Sequence, residues 1–496
     1  MAQAITKRLQ APIKGWNVRD GLGGMKPTYA PIMDNVIPDT SRVRLRKGME
    51  VYATGLGSGA VETLAAYSYG TTSKFLGFAN NNIYDISSSG AASSLTSGLT
   101  NNRWQYVNFN GYVVMVNGAD ACRKYDGSSV TTNAVTGSGL SSDADLIHIN
   151  EFKGRLFFIE KNSMNVWYLA ANGITGSATK LDFKSLCKRG GYMMAMVTWT
   201  RDGGSGPDDL AVFITSMGEV IIYSGSDPAA PWSYEGRFTI APPIGRRCAL
   251  SVAGDVVVLT VDGFVQLSSA LPTARTSTVP EFSDLISGAV NDATMNYKDL
   301  FGWEAILYPQ GRMGLFNIPI IANTTSHQYV FNTHTGGWCR FTGWNANTFG
   351  LFNEALYFGG IDGKVYKADT GTSDNSSAIV GDVQQAFSDF GVADRKQFIT
   401  VRPAISSDGV VVPSIGFNVD YQNVAATGTP SASPGEGTLW DESFWDDPYW
   451  GADELIAVND LGVSGLGDVG AVRIRVSSTA PTFSWADTRV TFMRAA

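Results

Sequence analysis

The segment RWQYVNFNGYVVMVNGADACRKYDG, residues 103–127, carries the pattern that decides the fold. An alternating strand leads into the dipeptide Asn110-Gly111, an apolar strand follows, and a third short strand ends at the aromatic residue Tyr125. Asparagine and glycine both tolerate the positive φ that a two-residue hairpin turn requires. The segment therefore predicts three consecutive antiparallel strands.

The same pattern recurs along the chain. Further clear copies cover 145–170, 247–269 and 347–369, with first turns at Lys153-Gly154, Gly254-Asp255 and Asn353-Glu354. The spacing is 43 residues from Gly111 to Gly154, then 100 to Gly254 and 100 more to Glu354. Each interval of 100 residues predicts one more copy at its midpoint. The sequence near 204 and near 303 is in each case typical of a pair of strands. The anchors at the ends of the copies, 41 to 55 residues apart, are Tyr84, Tyr125, Tyr168, Tyr223, Leu267, Phe316 and Tyr366.

Units of this size with three or four short strands are typical of propeller blades. One small sheet cannot bury both of its faces, whereas sheets stacked around an axis bury each face against a neighbour. We therefore expect an all-β fold: a β-propeller of six or seven blades over 61–372, followed by a C-terminal β-sandwich-like platform domain over 373–496. A long β-sandwich and a β-solenoid are the alternatives. Residues 270–300 are expected to form an insertion with a short helix.

Residues 1–60 do not fit the repeat, and we expect a loop-rich segment that contacts the platform or neighbouring subunits. In Arg42-Val43-Arg44-Leu45-Arg46 the three arginines lie on one face, because successive side chains of a strand point to opposite sides. This face is either the solvated side of a half-buried strand or a contact with acidic groups of a neighbouring subunit or with nucleic-acid phosphate.

The platform is predicted from four alternating strands within 397–405, 409–421, 471–478 and 483–494. Between the second and third strands, Trp440, Trp445, Tyr449 and Trp450 are interspersed with four acidic residues within 441–447. Such a cluster does not remain on a free surface. It packs on its own domain, anchors a protein partner, or forms a carbohydrate platform.

Composition limits the possible classes of function. The 496 residues include 37 Lys+Arg and 45 Asp+Glu, for a net charge of −8, and 55 glycines. This composition is typical of a turn-rich β protein and excludes a coiled coil, collagen and a disordered acidic chain. The negative net charge disfavours a protein that binds nucleic acid through contacts with its phosphates. The sequence predicts no signal peptide and no membrane-spanning segment.

Catalytic and metal-binding motifs are not found. The cysteines Cys122, Cys187, Cys248 and Cys339 form no Cys-x-x-Cys pair, and we expect them to be small buried hydrophobic residues. The three histidines, His148, His327 and His334, form no metal-binding motif. The glycine-rich stretch at 55–59 lacks the Lys-Ser/Thr of a phosphate loop, and the carboxylates of 441–447 do not follow calcium-loop spacing. We therefore expect no catalytic, cofactor-binding or metal site. A glycosidase would need two carboxylates that face each other across a cleft, and the spacing of the 45 acidic residues indicates no such pair.

Several segments resemble the tail hub or nozzle proteins of short-tailed bacteriophages, also described as packaged-DNA stabilisation or tail tubular B proteins. The resemblance lies in APIKGWNVRDGL and NVIPDTSRVRLRKGMEVYATGL near the N-terminus, and is strongest beyond residue 340. There it lies in 344–371, QQAFSDFGVADRKQFITVRP at 384–403, LWDESFWDDPYWG, AVRIRVSS and FSWADTRVTF.

The resemblance implies a non-enzymatic virion protein, assembled in the host cytoplasm. It implies a hexameric ring below the head-to-tail adaptor that also meets tail fibres or tailspikes. Genomic DNA would pass through the ring without sequence specificity, and the ring would help to retain packaged DNA. A glycan-binding or glycan-cleaving monomeric propeller is the alternative from another class, and a trimeric receptor-binding tail protein is the alternative within the virion.

Overall fold

A computed structural model describes residues 3–495, except 203–206, 231, 253, 271–281, 409–410, 429–431, 434–454, 459 and 480–481. The predicted tryptophan cluster Trp440–Trp450 lies outside the described residues. The chain begins with seven short strands: β1 (Ile5–Gln10), β2 (Gly15–Trp16), β3 (Tyr29–Ala30), β4 (Ile32–Asp34), β5 (Val36–Pro38), β6 (Val43–Leu45) and β7 (Met49–Thr54).

Four blades follow, each built around four antiparallel strands. Blade 1 contains β8 (Val61–Tyr69), β9 (Thr72–Ala79), β10 (Asn82–Asp85) and β12 (Ser93–Thr96), whereas β11 (Gly90–Ala91), between the last two in sequence, pairs with β7 in another sheet. Blade 2 contains β13 (Gln105–Phe109), β14 (Tyr112–Val116), β15 (Arg123–Tyr125) and β16 (Val130–Thr132). Blade 3 contains β18 (Leu146–Phe152), β19 (Arg155–Glu160), β20 (Asn165–Tyr168) and β21 (Gly176–Asp182), and the preceding segment β17 (Val135–Gly137) pairs in parallel with β21 at its outer edge. Blade 4 contains β22 (Met193–Asp202), β23 (Pro207–Thr215), β24 (Glu219–Ser224) and β25 (Ser233–Thr239).

Three further blades complete the ring. Blade 5 contains β26 (Ala249–Val252), β27 (Asp255–Thr260) and β28 (Gly263–Gln266), followed by α1 (Leu267–Ala270) and α2 (Ser287–Tyr297). Blade 6 contains β29 (Glu304–Tyr308), β30 (Met313–Ile321), β31 (Thr325–Asn332) and β32 (Trp338–Phe341). Blade 7 contains β33 (Ala346–Phe352), β34 (Ala355–Gly360) and β35 (Val365–Ala368), and the N-terminal strand β7 pairs with β35 as its outer strand. Two 3₁₀ turns lie at Asp143–Asp145 and Asp284–Ile286.

The blades form a closed ring. The first strands of successive blades contact one another in order, and β33 of blade 7 contacts β8 of blade 1. Apolar side chains pack between neighbouring blades: Phe75 of blade 1 stacks on Phe352 of blade 7 at 4.9 Å between ring centroids, and Phe78 packs near Trp104 beside blade 2. The described residues thus form an all-β propeller of seven blades, within the predicted range of six or seven.

The turns explain why these segments form hairpins. Asn110 and Gly111 have φ of 48° and 78°, and Lys153 and Gly154 have φ of 47° and 70°, as a two-residue turn between twisted strands demands. Six of the predicted anchors lie in or directly after the third strand of their blades. Phe316 instead lies in β30, the second strand of blade 6, because the turn at 310–311 that precedes it joins the first and second strands. The predicted helix within 270–300 is present as α2, which packs against β28 and β30.

The platform is a sandwich of two antiparallel sheets. Its strands are β36 (Ile379–Gln384), β37 (Lys396–Ser406), β38 (Ser414–Val419), β39 (Ala432–Ser433), β40 (Leu455–Val458), β41 (Leu461–Gly467), β42 (Gly470–Ser478) and β43 (Ser484–Arg494). One sheet has the order β39-β40-β37-β43-β6-β5, with β1 also on β43 and β41 also on β37. The other contains β36, β42 and β38. Phe398 on β37 contacts Phe417 on β38 across the sandwich, with ring centroids 4.6 Å apart.

The N-terminal segment joins the propeller to the platform. Strand β4 pairs with β32 of blade 6 on one side and with β36 of the platform on the other, so that one sheet of ten strands runs through both domains. Beside it, the buried Arg46 forms hydrogen bonds of 2.8 and 2.6 Å to the carboxylate of Asp374, and its Nε donates to Asn35. The guanidinium also lies 4.9 Å from the ring of Trp344. The two domains thus share one sheet and a buried ion pair.

Candidate site at the propeller axis

A cavity of about 610 Å³ lies at the face of the propeller where the inner strands begin. Its walls come from the segments before β13, β26 and β29 and from the hairpin turns at 81 and 117–118. Four of its lining residues are basic: Arg103, Arg246, Arg247 and Lys298. The repeat explains this convergence, because every blade directs its first strand toward the same axis.

Arg247 extends across the axis and contacts four other parts of the ring. Its Nη1 donates to Glu304 of β29 and to the hydroxyl of Thr348 of β33, both at 3.1 Å. Its Nη2 donates to Thr63 of β8 at 2.7 Å and to the carbonyl of Trp104, just before β13, at 3.1 Å. One guanidinium therefore ties the start of blade 5 to blades 1, 2, 6 and 7.

Arg103 also has partners within the cavity. Its guanidinium forms an ion pair with Glu62 at 3.1 Å and lies 4.2 Å from the ring centroid of Phe301. Glu62 and Glu304 thus each form an ion pair with one arginine.

Arg246 is held differently. Its Nη1 makes only long hydrogen bonds, 3.4 Å to the carbonyl of Asn117 and 3.5 Å to that of Ile147. Burial lowers the pKa of Arg246; the nearby Tyr192 raises it, and the positive charges of Arg247 and Arg103 lower it. Burial is the largest of these effects, so the charged form of Arg246 costs free energy in this cavity.

His148 on β18 lies close to this cluster. Its Nε2 lies 2.9 Å from the carbonyl of Met196 on β22, so that the ring bridges blades 3 and 4. Burial lowers its pKa to about 4, with a smaller contribution from the charge of Arg246. The imidazole is consequently neutral at pH 7.

The structure does not bring the three histidines together. His148 lies in blade 3, while His327 and His334 lie in β31 and in the turn after it. The four cysteines are free thiols; Cys122, Cys248 and Cys339 are buried, as predicted, whereas Cys187 is partly exposed. Among the described residues, no group of three or more His, Cys, Asp or Glu side chains is placed to hold a metal ion. No helix of the described residues is long and apolar enough to cross a membrane.

The predicted arginine face near the N-terminus needs a correction. Arg42, Arg44 and Arg46 do line one cavity, of about 240 Å³, as residues on one side of a strand should. Arg46, however, is neither solvated nor directed at another subunit, because it is buried and paired with Asp374 of its own chain. Sequence alternation shows which side of a strand a residue occupies, but not which distant carboxylate folds against it.

The axial arginines were not singled out from the sequence. One signal could have identified them: Arg246-Arg247 is a pair of adjacent like charges, directly before the first strand of a repeat, in a chain with only 17% charged residues. The partners of Arg247 come from 63, 104, 304 and 348, which only ring closure brings together.

Comparison with known proteins finds only likeness of fold. No family model and no curated protein matches the sequence. Among solved structures, the chain is similar to YCF48 from Cyanidioschyzon merolae, with 10% identity, a TM-score of 0.41, and 63% of this chain and 96% of that one covered. It is also similar to the WD40 β-propeller domain of Doa1, with 8% identity, a TM-score of 0.39, and coverage of 64% and 96%. A third similar structure, BBS1N in complex with ARL6DN, has 9% identity, a TM-score of 0.42, and coverage of 67% and 100%.

Proposed function

We propose that this protein is a virion structural protein rather than an enzyme: the tail hub or nozzle subunit of a short-tailed bacteriophage. In this proposal six copies form a ring below the head-to-tail adaptor, DNA leaves through the ring, and tail fibres or tailspikes attach around it. The ring would be assembled in the host cytoplasm and kept in the virion tail. The motifs quoted from both ends of the chain support this function.

The observation that carries the proposal is the sheet of ten strands that runs from blade 6 through β4 into the platform. Domains of one chain move relative to each other unless their interface is extensive. Here backbone hydrogen bonds and the buried pair Arg46–Asp374 oppose such motion. A ring that retains a packed genome needs subunits of this rigidity.

Side chains that cross the axis of the propeller constrain where DNA would pass. Arg247 bridges blades across that axis, so the conduit would run between copies rather than through one propeller. The net charge of −8 suits a conduit, because each Lys or Arg contact with phosphate adds affinity and would slow the DNA. We expect the lumen of the ring to be predominantly acidic.

Exposed apolar side chains on the platform support self-association. Tyr421 and Val424 follow β38 of one sheet, Leu466 lies on β41 of the other sheet, and all three are exposed. Large apolar residues left exposed can belong to interaction surfaces in soluble proteins. We assign these residues to contact with a second copy of the chain.

The experiment measures the mass of the purified protein in solution and images it by negative-stain microscopy. We expect rings of six chains. The double variant Val424→Asp and Leu466→Asp should dissociate them, whereas Ile321→Asp, at an exposed apolar residue of blade 6, should leave them intact. Charged groups in a packed interface lose their hydration without gaining partners, which weakens association.

Two results would overturn the proposal. A monomer that binds glycans would favour the glycan-binding or glycan-cleaving propeller, and a trimer would favour a receptor-binding tail protein. A ring whose lumen is lined mainly by Lys and Arg would contradict the proposed role of charge in DNA passage.

A further inference from the structure

We propose that the axial cavity is a binding site for an anion, in which Arg246 holds a carboxylate or phosphate group. The inference concerns this cavity of one propeller and is independent of the proposed ring. It rests on the placement of Arg246, on the partners of its neighbours and on the space around its guanidinium.

The first step is the difference between the partners of two adjacent arginines, Arg246 and Arg247. Arg247 has five polar or aromatic partners, including the carboxylate of Glu304, and lies 5.5 Å from the ring of Phe301. Arg246, the preceding residue, points to the other side and reaches only the two distant carbonyls of Asn117 and Ile147. Arg247 therefore has a structural role that Arg246 does not share.

The second step is the balance of charge. The cavity is lined by four basic residues, whereas Glu62 and Glu304 are already paired with Arg103 and Arg247. No carboxylate of the described residues forms an ion pair with Arg246. A cation that is partly removed from water and faces other cations is costly, and an anion in the cavity offsets that cost.

The third step is the space kept open for the guanidinium. Gly118 has a φ of 78°, and a Cβ there would lie 3.6 Å from Nη1 of Arg246 and 2.6 Å from a methyl carbon of Ile147. A larger residue would displace the wall against which Arg246 lies. The cavity of about 610 Å³ is large enough for a small polyanion or a few residues of an acidic peptide.

Binding should be measured by titration calorimetry on the full chain. The probes are inorganic phosphate, citrate as a small tricarboxylate, and a hexaglutamate peptide. Saturable binding of phosphate alone identifies phosphate as the ligand group, and binding of citrate or the peptide identifies carboxylate. Arg246→Met should weaken the binding at least about tenfold, the loss expected for one charged hydrogen-bond donor. Arg402→Met, at an exposed arginine of the platform, should leave it unchanged.

A second measurement separates a binding residue from a structural one. Without ligand, Arg246→Met should raise the melting temperature by about 1 to 3 °C, because it removes an uncompensated charge. The proposal is wrong if no probe binds at about 10 mM, a concentration that detects even millimolar affinity. It is equally wrong if Arg246→Met binds as tightly as the wild type, or if that variant is less stable than the wild type without ligand.

Discussion

Arg247 provides the strongest test of how the ring is closed, and we expect Arg247→Met to be strongly destabilising. The substitution retains an unbranched side chain but removes four hydrogen bonds that reach blades 1, 2, 6 and 7. It also leaves Glu304 without its partner. Removing one member of a buried ion pair costs about 3–5 kcal/mol.

The exposure of the pair sets the magnitude within that range. The side chains of Arg247 and Glu304 are 13% and 16% exposed, so water compensates part of the lost interaction. We therefore expect a loss of about 3 kcal/mol in the free energy of unfolding. Urea denaturation followed by tryptophan fluorescence measures it, since Trp104 is buried at this contact.

A double-mutant cycle identifies the origin of the loss. If the unpaired carboxylate of Glu304 causes most of the loss, then Glu304→Gln in the Arg247→Met background should recover more than half of it. Arg402→Met, on the exposed side of β37, should change stability by less than about 0.5 kcal/mol. An Arg247→Met protein within about 0.5 kcal/mol of the wild type would refute the view that this guanidinium ties the blades together.

Three further changes test the domain connection, a close backbone approach and a buried histidine. Arg46→Met should cost about 3–4 kcal/mol in urea denaturation, because it leaves the partly buried carboxylate of Asp374 unpaired; a loss below about 1 kcal/mol would contradict this. Gly48→Ala should lower stability by about 2 kcal/mol or more, because its Cβ would lie 1.8 Å from a backbone oxygen, whereas Gly59→Ala, with no atom within 4 Å, should be neutral. Equal melting temperatures for the two alanine variants would exclude the predicted clash. The pKa of His148 is lowered to about 4 in the folded protein, so the unfolded chain takes up its proton first as the pH falls. His148 should therefore contribute a drop in stability of about 1.6 kcal/mol between pH 6.5 and pH 5. His148→Gln should remove this part of the drop and leave the part of His327, whose pKa burial also lowers; an unchanged pH dependence in that variant would show that His148 does not contribute.

Substitution of the adjacent residues Arg246 and Arg247 should have opposite effects on the stability of the protein. Arg247 has a complete set of partners, and its removal should destabilise the protein. Arg246 has no charged partner among the described residues, and its removal should stabilise the unliganded protein. Like-charged neighbours in sequence thus serve stability and binding separately, because their side chains point to different parts of the ring.

The repeat, the tight turns and the class of fold could be predicted from the sequence alone. These features are local: alternation of apolar residues and pairs such as Asn110-Gly111 act over a few positions, and a period of 41 to 55 residues repeats them. The number of blades, the use of β7 as the outer strand of blade 7 and the sheet shared through β4 were decided by tertiary structure. Strand pairing between residues hundreds of positions apart depends on closure of the whole ring. A local sequence pattern does not predict such pairing. For the same physical reason the burial of Arg46 and the cationic cavity around Arg246 emerged only when distant loops converged on one axis.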